Sequence, residues 1–258
     1  NNCGPASLSM VLSMFGKDVD QETLADSMRP FHNPAGGVDD KSIFAEEFVT
    51  YAREQGFQAL ERPNGTPELL KKLIANDIPV VVRTWLHPNE DIGHFRIVRG
   101  YNDETKTFIQ DDSYQGPNLS YSYDEFLAMW QPFNYGYILV YPSDKQPLIE
   151  AILGEEMDEK IAYAQSIKRA EIELTENPSA VYPVFNLSSA SYYVGKYGDA
   201  VSYYEKVADR LPSRMLWYQI EPIQAYQKIN NDAMVFSLTD TILNNGNLAY
   251  SELYQIRG

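Results

Sequence analysis

Cys3 is the one cysteine of this 258-residue chain, so it has no internal disulfide partner and serves either packing or reactivity. It stands in Asn1-Asn2-Cys3-Gly4-Pro5-Ala6, directly ahead of Leu8, Val11, Leu12 and Phe15, which recur at helical spacing until Gly16 ends the run. Pro5 suits the first turn of a helix, where its fixed φ and missing N–H cost nothing. The thiol is therefore expected at a helix N-terminus, where unpaired N–H groups and the positive end of the macrodipole favour a thiolate over a thiol.

A thiolate nucleophile needs an imidazole to carry its proton, and the imidazole needs a carboxylate or amide to fix its tautomer. Of the three histidines, His32 and His87 lie in proline-flanked loops and read as ordinary surface positions. His94 follows Gly93 and opens Phe95-Arg96-Ile97-Val98-Arg99-Gly100-Tyr101, an alternating stretch that places it on a strand. The polar turn Asn102-Asp103-Glu104-Thr105 and a second strand from Lys106 to Gln110 then return the chain to Asp111 and Asp112 beside His94. Strand periodicity sends these two carboxylates to opposite faces, so only one of them orients the imidazole, and spacing alone leaves either in play.

Asn2-Cys3-Gly4-Pro5-Ala6, Gly93-His94-Phe95 with Gly100-Tyr101, and Asp112-Ser113-Tyr114 with Gly116-Pro117 resemble, in order, the conserved blocks of the bacteriocin-processing, double-glycine peptidase-like domains, which are papain-like cysteine peptidases. The resemblance runs from residue 1 to about 142. It implies Cys3 as nucleophile, His94 as general acid/base and Asp112, rather than Asp111, as the orienting residue. It also implies an oxyanion-binding glutamine a few residues before the cysteine. The sequence starts two residues before Cys3, so that glutamine is expected in a preceding N-terminal segment. The implied location is bacterial, extracellular or at the cell surface.

Composition excludes some classes. Thirty-six acidic against twenty-one basic residues give a net charge of −15, which repels phosphate backbones, so nucleic acid is not an expected partner. No apolar run reaches the length of a membrane span. His87, Glu90, Asp91 and His94 hint at a metal, but Pro88-Asn89 makes the intervening stretch a loop unsuited to a rigid site, and no metal or cofactor is expected.

The first domain, expected over 1–142, reads as α+β. Asp20 caps a short helix through Met28. The Asp39/Asp40 pair starts another through Arg53, burying Phe44, Phe48 and Tyr51 before Gly56. Thr66-Pro67 opens a third, with Leu69, Leu70, Leu73 and Ile74 inward. Strands are expected at about 78–85, 94–101 and 106–110. Ser122 to Glu125 forms a capping box for a helix to Trp130, and Gly136 to Tyr141 closes the sheet. The papain-like resemblance implies that the sheet is antiparallel, carries the histidine and packs against the cysteine helix. The loops Asn33–Asp40 and His87–Gly93 are candidate borders of a substrate groove.

Pro142 to Pro147 reads as a linker, and 148–258 as an all-α domain. Leu187, Gly195, Tyr197, Ala200, Tyr204 and Pro212 fall at the spacing of a tetratricopeptide repeat, and Pro178 lies thirty-four residues before Pro212. Further helix pairs are expected over 148–178, 214–230 with 232–244, and a last helix from Leu248 to Arg257. Tyr182, Tyr192, Tyr193, Tyr197, Tyr203, Tyr204, Tyr218 and Tyr226 fill the repeat core or line a peptide-binding face. Two functional classes follow: a thiol peptidase cleaving a peptide or protein, with repeats that dock partners, or a non-catalytic peptidase-like surface protein that binds through its repeats.

Overall fold

The computed structural model describes residues 3–28, 43–244 and 251–258, with the backbone alone at 251. The strands are β1 Gln58–Arg62, β2 Val80–Trp85, β3 Gly93–Asn102, β4 Thr107–Asp112, β5 Gly116–Ser122 and β6 Tyr137–Tyr141; β2 and β6 bury neighbouring side chains on both faces, whereas β5 at the edge buries none. They form one sheet in the order β1-β6-β2-β3-β4-β5, every pair antiparallel. One face carries Leu60, Val80, Val82, Val98, Phe108 and Leu139 against one core. The other carries Ala59, Val81, Phe95, Ile97, Ile138 and Val140 against a second. Helices cover both faces, which is why strands such as β2 and β6 are apolar almost throughout.

On the second face lie α1 (Cys3–Met14), α2 (Gln21–Met28) and α3 (Ala45–Glu54). Leu8, Val11 and Leu12 of α1 are fully buried, and Gly16, at φ +76°, takes the left-handed turn that ends the helix. Asp20 caps α2 as expected, its carboxylate accepting from the Thr23 and Glu22 N–H groups at 2.9 and 3.0 Å. The helix expected from Asp39/Asp40 instead starts at Ala45, with the Phe44 N–H donating to the Glu47 carboxylate at 2.8 Å. Asp39 and Asp40, with His32 and the proposed loop Asn33–Asp40, lie outside the described residues.

On the first face lie α4 (Pro67–Ile74), α5 (Tyr123–Trp130) and α6 (Gln146–Leu153). Thr66 and Ser122 cap α4 and α5 through their hydroxyls, to Leu69 N–H at 3.1 Å and Glu125 N–H at 3.2 Å. The segment Pro142–Pro147, expected as a linker, instead folds into a short 3-10 turn and the start of α6. Ile149 and Leu153 of α6 are buried in the sheet core, and the Arg62 guanidinium donates to the Glu156 carbonyl at 2.8 Å. The first compact unit therefore runs to Ala162, not to 142, because α6 completes its core and so does not pair with the following helix in a repeat. Strands β1 and β5 add to those expected.

The second unit covers the described residues from Tyr163 onward. It is helical: most of α7 (Glu159–Glu176), then α8 (Val181–Tyr193), α9 (Tyr197–Glu205), α10 (Met215–Tyr218), α11 (Glu221–Lys228), α12 (Asp232–Asn244) and α13 (Ser251–Arg257). Gly195, at φ +80°, turns the chain between α8 and α9 while Lys196 N–H reaches back to Ser191 O at 2.8 Å. Ala190 and Ala200 are fully buried between helices, and Ser188 Oγ donates to Ala200 O at 2.6 Å. Tyr163 and Tyr193 stack with ring centroids 4.0 Å apart, and Tyr204 meets Tyr226 edge-on at 6.3 Å. The start expected for the last helix, Leu248, lies outside the described residues.

Candidate active site

Cys3 is the first residue of α1, half-buried, with its thiol free. Its position follows from local sequence: Pro5 fixes the first turn, and Leu8, Val11 and Leu12 seat the helix on the face of the sheet that carries Phe95 and Ile97. His94 is the second residue of β3, paired with Thr84 of β2, and is 3% exposed. The thiol and the imidazole meet where α1 and β3 both begin, and a hydrogen bond joins them.

On the far side of the imidazole, His94 Nε2 lies 2.9 Å from Asp112 Oδ2. The pair is close enough for an ion pair, though its angles fall short of an aligned hydrogen bond. With Nε2 turned to Asp112, Nδ1 is the nitrogen left for the thiol. Asp112 ends β4 and opens the turn to β5, and its other oxygen, Oδ1, accepts from the N–H groups of Tyr114 and Gln115 at 2.7 and 2.9 Å. Asp111 points the opposite way, as strand periodicity requires: Arg99 Nε donates to it at 2.5 Å and the Asn118 N–H at 2.9 Å. Of the two carboxylates, then, only Asp112 lies against His94.

The electrostatics of the three groups are coupled. Burial opposes ionisation of Cys3, but the hydrogen bond and charge of His94, the Phe95 N–H and the charge of Arg83 together bring the thiol below its ordinary value. Burial likewise disfavours the imidazolium, yet Asp112 and Cys3 raise His94 to about 9. Asp112 resists burial through His94 and the turn N–H groups and is held down at about 2. These directions favour the thiolate–imidazolium form of the pair over the neutral one, with an ionised carboxylate behind it.

Two arginines escape the sequence reading. Arg83 of β2 faces Phe95 across the strand pair, its guanidinium 4.4 Å above the Phe95 ring, and donates to the Ile43 carbonyl. Arg96 is completely buried with its Nε 3.4 Å from Asp112 Oδ2. The signal for both was their strand position: Arg83 shares the cysteine helix's side with Phe95, and Arg96 shares the face of His94 two residues away. His87, in the loop after β2, approaches the Asp112 turn through Gln115, whose amide nitrogen is 3.0 Å from His87 Nδ1. Among the described residues, no three or more His, Cys, Asp or Glu side chains are grouped to hold a metal ion, and no helix is long and apolar enough to cross a membrane.

No curated protein matches the chain. Among solved structures it resembles a putative C39-like peptidase from Bacillus anthracis, with 17% identity, 54% of this chain and 88% of that one covered, and a TM-score of 0.44. It also resembles the N-terminal peptidase C39 like domain of the toxin secretion ATP-binding protein from Vibrio parahaemolyticus, with 17% identity, coverage of 55% and 98%, and a TM-score of 0.41. The model of the Peptidase_C39 like family matches residues 1–138, more than half of the sequence and the whole span that holds Cys3, His94 and Asp112, so the chain belongs to that family.

Proposed function

We propose that this protein is a cysteine peptidase in which Cys3 is the nucleophile, His94 the general acid/base and Asp112 the residue that fixes the imidazole. The observation that carries the reading is the convergence of the lone thiol, at a helix N-terminus, with a buried imidazole that itself lies 2.9 Å from a buried carboxylate. In the reaction, Cys3 Sγ attacks the carbonyl carbon of a peptide bond and His94 Nδ1 gives its proton to the departing amine as the C–N bond breaks. His94 then takes a proton from water, whose oxygen displaces Sγ from the thioester and releases the acid. The Cys3 N–H, at the start of α1, is one donor for the oxyanion.

The substrate is a peptide or protein. The helical unit is proposed to be a tetratricopeptide-like array that docks the substrate or a protein partner, a reading supported by the α8–α9 hairpin with Ala190 and Ala200 at its contact. An extracellular or cell-surface location belongs to the same proposal and rests on family resemblance. The experiment is cleavage of a diverse peptide library by the whole chain and by Cys3→Ala, with product identified by mass. Cleavage lost in the variant supports the reading; equal cleavage by both proteins removes it.

A further inference from the structure

Asp112 Oδ2 has two cationic neighbours. His94 Nε2 lies 2.9 Å away and Arg96 Nε 3.4 Å away, on the same oxygen. The partner oxygen, Oδ1, is already engaged by the Tyr114 and Gln115 N–H groups, so the turn holds the carboxylate in place without help from Arg96. Arg96 is therefore not needed as a mere anchor. It is also an expensive residue to bury: it is 0% exposed, and its Nη1 and Nε have no hydrogen-bond partner. Its remaining nitrogen, Nη2, donates to the Leu86 carbonyl, and the guanidinium lies 5.0 Å above the Tyr121 ring. These contacts fix the cation beside Oδ2.

We propose that Arg96 is a positioning residue that competes with His94 for Asp112 Oδ2, limiting how strongly the carboxylate favours the imidazolium. The inference rests on the peptidase reading of Cys3, His94 and Asp112. A carboxylate that served His94 alone would stabilise the imidazolium so well that it would release its proton to a leaving amine reluctantly; a second cation on the same oxygen offsets part of that attraction and repels the imidazolium directly. The other groups that bear on this balance are known. Cys3 of α1 and Arg83 of β2 act from the thiol side, with opposite signs; Tyr121 of β5 lies under the guanidinium; Gln110, fully buried on the same strand as Asp112, is uncharged; His87 and Glu90 belong to the loop after β2, with His87 reaching the turn through Gln115. Among the described residues, Arg96 is the cation nearest to Oδ2 other than His94 itself.

The test follows the His94 protonation midpoint by NMR of the whole chain with labelled histidine, which is tractable with three histidines. Alongside it, the iodoacetamide rate of the lone thiol is measured against pH; neither readout needs a substrate. In Arg96→Met, the midpoint moves up by about one pH unit, because a neighbouring charge has been removed. In Arg96→Lys, which keeps a cation on a stem ending short of the guanidinium position, it moves up by less, and this variant carries the test if the first does not fold. An unchanged or lowered midpoint in a folded variant overturns the inference while leaving the peptidase reading intact. A native thiol titrating alone near about 8.5, with no link to His94, overturns both.

Discussion

The two units bury polar residues in opposite ways. Among the described residues of the sheet unit the buried polar side chains are Ser7, Thr84, His94, Arg96, Gln110, Asp112 and Asn134; the five from Thr84 to Asp112 lie on one face of three adjacent strands, and three of those five are ionisable. In the helical unit they are small or neutral: Ser166 on α7, Asn186, Ser188, Ser189 and Ser191 along α8, Gln219 after α10, and Thr239 on α12. There two of the hydroxyls bond to backbone carbonyls, Ser188 to Ala200 O at 2.6 Å across the α8–α9 hairpin and Thr239 to Val235 O at 2.7 Å within α12. A serine costs little to bury when it bonds to a carbonyl and leaves room for a neighbouring helix, whereas a buried charge is costly unless paired. Among the described residues, the buried charged side chains His94, Arg96 and Asp112 all lie on two adjacent strands of the sheet unit, and the helical unit buries only neutral ones.

The largest effect belongs to the charged cluster. Cys3→Ala reduces peptide cleavage to on the order of a thousandth or less, since the attacking atom is gone. The same cluster sets the pH window. His94 is raised to about 9, so its imidazolium persists from its ordinary value of about 6.5 up to that point, and cleavage falls as pH rises beyond it because the leaving amine loses its proton source. Initial rates from pH 5 to 10 locate this alkaline limb; a limb near about 6.5 would mean that Asp112 and Cys3 do not support the imidazolium.

Next in size is the boundary between the units. A fragment ending at 142 loses α6, and with it Ile149 and Leu153, which are 0% and 7% exposed in the sheet core; each is worth roughly 1.5–3 kcal/mol. It also loses the Arg62 bond to the Glu156 carbonyl. A fragment ending at 162 keeps all of these. Urea titrations of the two fragments are expected to differ by about 3–6 kcal/mol, the shorter being marginal or unfolded. Equal midpoints would restore the linker at Pro142–Pro147 as the true boundary.

That boundary shows where the sequence ran out. Pro142 and Pro147 look like breakers, but Pro147 occupies the first turn of α6, where proline is welcome, and nothing local distinguishes a helix that closes a sheet core from one that opens a repeat. Strand β5 was hidden because Gly116-Pro117-Asn118 has turn composition, and Asn118 does take φ +62° before the strand continues. Strand β1 was hidden because Ala59 and Leu60 face different cores, which erases alternation over five residues. By contrast, α1 and β3 were legible because their helical and strand periods are long, and Cys3 and His94 ride on them at fixed offsets. The choice between Asp111 and Asp112 came from motif resemblance, not from geometry. Arg96 went unread because an arginine in an alternating strand is ordinarily on the wet side, and only the tertiary fact of helices on both faces makes it buried.

A middle-sized effect distinguishes the two aspartates. Asp112→Asn lowers turnover by on the order of tenfold to a hundredfold, since an amide still bonds to the ring but no longer supports its charge. The variant also lowers the alkaline limb of the rate profile. Asp111→Asn changes turnover less than about twofold, because that side chain serves Arg99 and the Asn118 N–H on the other face. If the two substitutions cost the same, the orienting role passes from Asp112 and the geometry of the site has been misread.

The smallest effect tests the helical unit. Ser188 is fully buried and its one recorded bond reaches across the hairpin to Ala200 O, so Ser188→Ala removes a hydrogen bond and leaves a hydroxyl-sized gap between α8 and α9. The cost is about 1 kcal/mol, because the carbonyl has a second lone pair that the helix already uses and the lost donor leaves no buried charge behind. Thermal unfolding of the variant is expected to shift by a few degrees, about 2–4 °C if the whole chain unfolds together and about 4–8 °C if the helical unit unfolds alone. Iodoacetamide reactivity of Cys3 is expected to stay unchanged in the same protein, since no ionisable group of the charged cluster has been altered. The converse pairing sharpens the contrast: an exchange that removes a charge, such as Asp112→Asn, moves thiol reactivity and its pH dependence, while an exchange that removes a hydroxyl from α8 moves stability alone. A Ser188→Ala protein with altered thiol kinetics would show that the helical packing feeds into the site, and the division between a unit built for chemistry and one built for packing would have to be given up.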